Sequence, residues 1–347
     1  MTARKGDGPE GAKIMLVGGC YSDEDLSRRT PFQGYPGILL NQILHDAKIM
    51  RSECYTSNLI NDRPPYGDMG KWITRKKKDV TPAHIPFRDA WVLPNILEGY
   101  ESLKEEIATV NPNVIVAFGT PAMWALTGED SVMKWRGSQM LDEAGRKVIP
   151  CHHPSEIIAQ PELRPITIND LKRVAKEKAT KEYTNIPQWN FILRPDLQTV
   201  LSTLQDLTDQ AAIAPIWVEF DLETSPHHIT CAGISWSLVD AMCIPITTTG
   251  NKDGYWSLDE EAIVVHALYR FLTNPNIWVR GQNLLYDCQH TYRHWHFVPN
   301  VKQDTMISHH SMFCGMKKSL AFQASMYCDY YSYWKEMHHD DSNKAGS

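Results

Sequence analysis

The sequence has no C-x-x-C pair, no apolar run near the length of a membrane span and no excess of positive charge. Each absence removes a class. Eight cysteines spread over 347 residues give neither a disulfide framework nor a structural zinc site, so reduced cytoplasmic thiols are expected. With no stretch of about 20 apolar residues, a helical membrane protein is not expected. The first residues, Met1-Thr2-Ala3-Arg4-Lys5, have no apolar core of a signal peptide, and 1–11 reads as a disordered leader. A formal net charge of −6 means that nucleic-acid binding would need local basic clusters. Internal repeats and low-complexity tracts are also missing. The doublets His152-His153, His227-His228, His309-His310 and His338-His339 lack zinc spacing, and all but His153 read as structural.

What remains is ordinary globular material, 42% hydrophobic and 22% charged, long enough for two domains. Strand-like segments at 13–19, 53–60, 113–118 (a short apolar run) and 148–150 alternate with helical spacing at 36–48, 96–110, from Thr120, and 168–178. That alternation predicts a parallel α/β sheet over 12–176. Residues 61–87 read as a long polar stretch. A linker is expected at 177–192 and a second domain at 193–347. There a helix (196–212), three consecutive strands (216–221, 230–237, 241–245), a helix (260–272), a strand (278–281) and a helix (284–295) predict a mixed sheet.

Two strings in the second domain carry carboxylates at the ends of apolar runs: Phe220-Asp221-Leu222-Glu223-Thr224 and Gly281-Gln282-Asn283-Leu284-Leu285-Tyr286-Asp287. On a strand, Asp221 and Glu223 share one face. Such carboxylates suit hard divalent cations, and two metals about 4 Å apart can stabilise both oxygens of a phosphoryl displacement. Asp221 could equally be a strand-end turn residue. The strings, followed by Asp304-Thr305-Met306, resemble in order and spacing the DEDD 3′–5′ exonucleases in the form found in family A DNA polymerases. The resemblance implies a ribonuclease H-like domain in which Asp221, Glu223 and Asp287 are catalytic and hold Mg²⁺ or Mn²⁺. It implies that Thr224 and Asn283 bind the DNA 3′ end, and that Asp304 orients the helix bearing Asp287. The family's third motif, Tyr-x-x-x-Asp or His-x-x-x-Asp, is not found. Asp340 and Asp341 have Glu336 and Met337 at the required positions. The exonuclease domain is therefore expected to be incomplete, its chain truncated ahead of a downstream polymerase polypeptide.

The first domain carries Val17-Gly18-Gly19 with Asp23-Glu24-Asp25, Thr30-Pro31-Phe32 with Gly34 and Gly37, Asn58 to Arg63-Pro64-Pro65, Pro112 to Gly119, and His153-Pro154-Ser155. In that order these resemble the uracil-DNA glycosylase superfamily, in particular its iron–sulfur family. The resemblance implies a three-layer glycosylase-like domain. In it Phe32 stacks on a flipped base, Asn58 matches the uracil edge, and His153 stabilises charge on the leaving base. The residues alone also allow Phe32 as core, Asn58 as a strand-end residue and His153 as a helix cap. The family's Gly-Glu-x-Pro-Gly is replaced by Gly19-Cys20-Tyr21-Ser22, leaving Asp23 to Asp25 as substitutes. Asp62 occupies one cluster-cysteine position and no cysteine pair precedes Ile14, so no iron–sulfur cluster is expected. The basic run Lys76-Lys77-Lys78, with Lys71 and Arg75, can bind phosphates or be solvated surface, and Trp72 beside it could stack on a base.

The expectation is thus a DNA replication or repair protein that resembles the N-terminal region of a family A polymerase. Its partner would be a primer 3′ end or single-stranded DNA, with no membrane. Uracil excision and non-catalytic DNA binding are the alternatives.

Overall fold

A computed structural model describes residues 6–225, 228–247 and 254–333. It divides into two compact units. One holds the residues up to Ile186 together with the described residues from Ala324 on; the other is Pro187–Gln323.

The first unit contains, in chain order, β1 (Ile14–Cys20), β2 (Cys54–Ile60), three short strands β3 (Ile73–Thr74), β4 (Ile85–Phe87) and β5 (Ala90–Val92), then β6 (Val114–Phe118), β7 (Met140–Leu141) and β8 (Lys147–Cys151). The main sheet runs β2-β1-β6-β8-β7, and only β7 is antiparallel. Every residue of β2, β6 and β8 is buried, as in a parallel sheet covered on both faces. This is why β6 reads as an unbroken apolar run, whereas β2 buries Thr56, Ser57 and Asn58 and β8 buries Lys147. The covering helices include Gly34–Asp46, Pro94–Val110, Thr120–Thr127 and Leu163–Glu177.

Three local readings change. The polar stretch 61–87 contributes to a small antiparallel sheet, β3-β5-β4. Trp72 in that stretch is buried in the core beside Val92 and Ile96, so its ring is not offered to a base. The main-chain carbonyl of Trp72 also accepts the Leu93 N–H at 2.9 Å, which ties the stretch to β5. Within 1–11, Asp7 pairs with Thr56 through two backbone hydrogen bonds of 2.8 and 2.7 Å.

The second unit contains β9 (Asn190–Leu193), β10 (Ile216–Ser225), β11 (His228–Ser235), β12 (Asp240–Pro245), β13 (Ile277–Gly281) and β14 (Val301–Asp304). The sheet order is β14-β13-β10-β11-β12-β9, mixed in direction. In β10 the residues Val218, Phe220 and Leu222 are buried, and the alternate Asp221 and Glu223 are exposed. Helices Leu197–Ile213 and Leu258–Leu272 belong to the core on the buried side. Strand β9 starts inside the expected linker. It pairs with β12 at the sheet edge, where Phe191 and Leu193 stay exposed and give no strand-like alternation.

The stretch from Ala324 lies within the expected second domain, 193–347, yet it groups with the first unit. Arg136 donates to Ser325 Oγ at 2.7 Å, Arg173 to the Cys328 carbonyl at 2.8 Å, and Gln139 N–H to the Tyr331 carbonyl at 2.9 Å. Both arginines are held by Asp170, which is fully buried and bidentate to Arg136, with Nε to Oδ2 at 2.8 Å. Removing one partner of a buried ion pair leaves an uncompensated charge and costs about 3–5 kcal/mol. Asp170→Ala is therefore expected to lower the thermal midpoint by roughly 10 °C. An unchanged midpoint in a calorimetric scan would show that this network does not support the fold.

Candidate functional site

In the first unit, Phe32, Asn58 and His153 come from three separate elements and line one cavity of about 260 Å³. That is small beside pockets for drug-sized ligands and suits a single flat ring. Cys20, Glu24 and Arg63 complete much of the wall.

Asn58 sits on β2 directly beside Gly18 of β1 and is only 4% exposed. Its Nδ2 is buried with no hydrogen-bond partner. A buried amide N–H without an acceptor costs about 1–3 kcal/mol, so this donor needs a ligand to complete it. The place exists because residue 18 has no side chain. A Cβ there would lie 2.3 Å from Asn58 Oδ1 and 3.0 Å from Phe32 Cζ.

Phe32 is also buried, and its backbone is left-handed at φ 56°, a conformation uncommon for a bulky residue. What holds it there is Asp25. One carboxylate oxygen accepts Gln33 N–H at 2.6 Å and the other accepts Ser22 N–H at 2.8 Å. The Phe32 ring meets Phe118 edge-on at 5.7 Å, lies against His153 at 5.8 Å and carries the Arg51 guanidinium at 5.7 Å. Residue 37 must be glycine-sized as well, since a Cβ would fall 2.0 Å from the Phe32 carbonyl oxygen.

His153 caps the helix Pro154–Ala159, so the cap reading of this residue holds. Its Nδ1 accepts Ser155 N–H at 3.2 Å. That bond puts the proton of the neutral ring on Nε2, where it can be donated to a bound oxygen. Burial lowers the His153 pKa from its ordinary value, against the opposing pull of Glu156 and Asp25. The ring is therefore a neutral donor at pH 7.

The three acids read as substitutes in the first motif differ. Asp25 has both oxygens committed to main chain. Asp23 pairs with Arg63 at 2.9 Å across the cavity wall. Glu24 lines the cavity with no hydrogen bond to its carboxylate among the described residues. Cys20 is no nucleophile: burial, then Asp25, push its thiol up to about 11. Lys76, Lys77 and Lys78 are exposed on a turn and do not line the cavity. Sequence reasoning passed over Gly18 and Asp25 as positioning residues, although both lie inside the strings it quoted. Nothing local marks Arg51.

The cysteines of this unit do not fit an iron–sulfur cluster, which takes four converging thiolates. Cys20 closes β1, whereas Cys54 opens β2 beside Ile14. Six residues of strand separate these levels, about 20 Å.

Residues 5–180, half of the chain, match the family model described as the uracil DNA glycosylase superfamily. The chain belongs to the uracil DNA glycosylase superfamily. A relative is the type-4 uracil-DNA glycosylase of Thermotoga maritima, 30% identical over 181 residues, covering 51% of this chain and 83% of that protein. The DNA polymerase of Bacillus phage SP01 is 25% identical over 183 residues, covering 52% of this chain but only 17% of the polymerase. Among solved structures, Escherichia coli RNase D superposes with a TM-score of 0.30 at 13% identity, over 43% of this chain and 35% of that one. A likeness of that size carries no weight for function.

In the second unit, Asp287 opens the helix Leu284–Trp295, is 3% exposed, and accepts Leu222 N–H at 2.8 Å. It is thereby pinned to the strand residue between Asp221 and Glu223. Burial raises the Asp287 carboxyl to about 6, and Asp221 adds to the rise. Burial, then Glu223, raises Asp221. Thr224 Oγ1 hydrogen-bonds Tyr286 OH. Asn283 is exposed at φ 60°, its side chain making no cap. Asp304 accepts the N–H groups of Asn283, Leu284, Met306 and Ile307 at 2.8–3.3 Å, so it fixes two helix starts, the orienting role expected of it. Among the described residues no three His, Cys, Asp or Glu side chains stand close enough to share a metal ion. Asp340, Asp341, Glu336, Met337 and the doublet His338-His339 lie outside the described residues.

His153 generates a pH prediction. Its folded pKa lies below the unfolded value near 6.5, so the unfolded chain binds the extra proton first. The stability this ring contributes is whole above about pH 6.5 and is lost as pH falls through the folded value. The thermal midpoint should fall between pH 7 and pH 5. His153→Asn, which keeps the cap, should flatten that fall, by at most one proton's worth of slope. Identical slopes for both proteins would contradict it.

Proposed function

We propose that this chain acts on DNA, its first unit taking a flipped uracil into the cavity between Phe32, Asn58 and His153. The observation that carries this reading is that Asn58, whose buried Nδ2 has no hydrogen-bond partner, lines a cavity of single-ring size with Phe32 and His153. An Asn amide offers one donor and one acceptor, which match a uracil O4 and N3–H. Phe32 supplies an aromatic wall, and His153 Nε2–H would donate to the base oxygen on which charge gathers as the glycosidic bond breaks. Water replaces the base on the sugar. Glu24 is the acid left to orient that water, since Asp25 is committed to main chain. Family membership supports the substrate class, and the type-4 relative supports uracil in particular.

A second reading concerns the second unit: a 3′–5′ exonuclease-like module of a family A polymerase, working in the cytoplasm. Its support is the exposed pair Asp221 and Glu223 beside the buried Asp287. The oxygen-only donor set fits a Mg²⁺ or Mn²⁺ ion that keeps several waters and takes other ligands from phosphate. Asp221 and Asp287 would hold it, with Glu223 at the edge and Thr224 and Asn283 toward the 3′ end. Such an ion would supply charge stabilisation at the phosphate.

Two assays on the full chain separate the readings. With a uracil-containing oligonucleotide in EDTA, alkali-labile abasic sites should form, and Asn58→Ala should slow their formation at least tenfold. Failure of the wild type both to bind uracil in preference to thymine and to release it would end the first reading. With Mn²⁺ and a 5′-labelled single strand, stepwise shortening lost in Asp287→Asn is expected from the second. A ladder unchanged by that substitution would rule it out.

A further inference from the structure

We propose that Tyr66 is the ring on which the nucleobase next to the one in the cavity stacks; this rests on the base-cavity reading. Tyr66 is 92% exposed, among the most exposed large apolar side chains of the first unit. It belongs to the short 3₁₀ turn Pro65–Gly67 and is left-handed at φ 58°, ψ 16°. A bulky residue held in that region with its ring in water is strained and buries nothing in return, a pattern associated with functional sites. Its neighbours place the turn at the cavity. Pro64 and Pro65 have restricted φ, and Gly67 lines the base cavity itself. Arg63, one turn earlier, reaches across the wall to Asp23. Tyr66 thus stands next in the chain to a residue of the cavity wall, with its ring in water.

The same excursion of the chain, between β2 and β5, carries exposed Lys71, Lys76, Lys77 and Lys78, none of which forms an ion pair among the described residues. This is a run of cations beside an aromatic plate, the combination that tracks single-stranded nucleic acid by phosphate charge and base stacking. The occupant is the strand that delivers the flipped base. Its phosphates meet the lysines, and an adjacent base covers Tyr66.

Fluorescence anisotropy with the full chain tests this on two single strands. One contains a single deoxyuridine, and the other is identical but has a tetrahydrofuran abasic analogue at that position. Tyr66→Asn tolerates the left-handed backbone and removes the ring; it should weaken both strands roughly 5- to 100-fold, the range for one base–ring stack. Tyr66→Phe should stay within about twofold, and neither variant should move the thermal midpoint. Asn58→Ala should weaken only the deoxyuridine strand. Tyr66→Asn binding both strands like the wild type, or Tyr66→Phe losing as much as Tyr66→Asn, would overturn the proposal. If Asn58→Ala leaves the uracil strand unaffected while Tyr66→Asn weakens it, the cavity reading fails and the stacking surface stands.

Discussion

The parallel register that sets Gly18 of β1 beside Asn58 of β2 is the constraint on which the first site depends. The missing Cβ at residue 18 admits the Asn58 amide and the Phe32 ring into the same space. Asp25 then secures the left-handed Phe32 backbone from the other side, and the helix cap at His153 fixes which ring nitrogen carries the proton. Each of these is a main-chain arrangement first. The functional side chains are placed by strands, turns and caps, and need few bonds of their own to stay in position.

The two units treat acidic groups differently. In the first, the buried acids are spent on structure. Asp170 holds two arginines and Asp25 holds two backbone amides. In the second, Asp221 and Glu223 stand outward from a strand whose other face is core, and Asp287 is buried against that strand with its carboxyl raised by burial. Burial and Glu223 raise Asp221, and burial and Asp221 raise Asp287, so these two carboxyls hold a repulsion that a cation would relieve.

Much of the architecture was legible because β1, β6 and most of β8 are covered on both faces and carry apolar runs; β2 is buried as fully but carries Thr56, Ser57 and Asn58. The alternation in β10 was legible for the converse reason, one buried face and one open. Phe32, Asn58 and His153 could be named from ordered motifs, and they do line one cavity; their chemical roles are for experiment. The small sheet β3-β5-β4 was not legible, since strands of two or three residues carry no period and are held by cross-strand pairing. Trp72 sits in a polar neighbourhood of sequence but a hydrophobic one in space. The return of residues 324–333 to the first unit depends on Arg136, Asn169 and Arg173, more than 150 residues away in the chain. No local pattern encodes such a contact. Asp25 reads as one acid among three until its two backbone partners are seen.

The central claim is that Asn58 Nδ2 is an unfilled donor awaiting a uracil edge. Side-chain amide NMR of ¹⁵N-labelled protein addresses it directly, with the signal assigned through Asn58→Ala. Titration with a deoxyuridine-containing single strand should move the Asn58 amide protons downfield by several tenths of a ppm, as a new hydrogen bond requires, while a thymidine-containing strand leaves them in place. An Asn58 signal that stays fixed at saturating deoxyuridine strand would contradict the account.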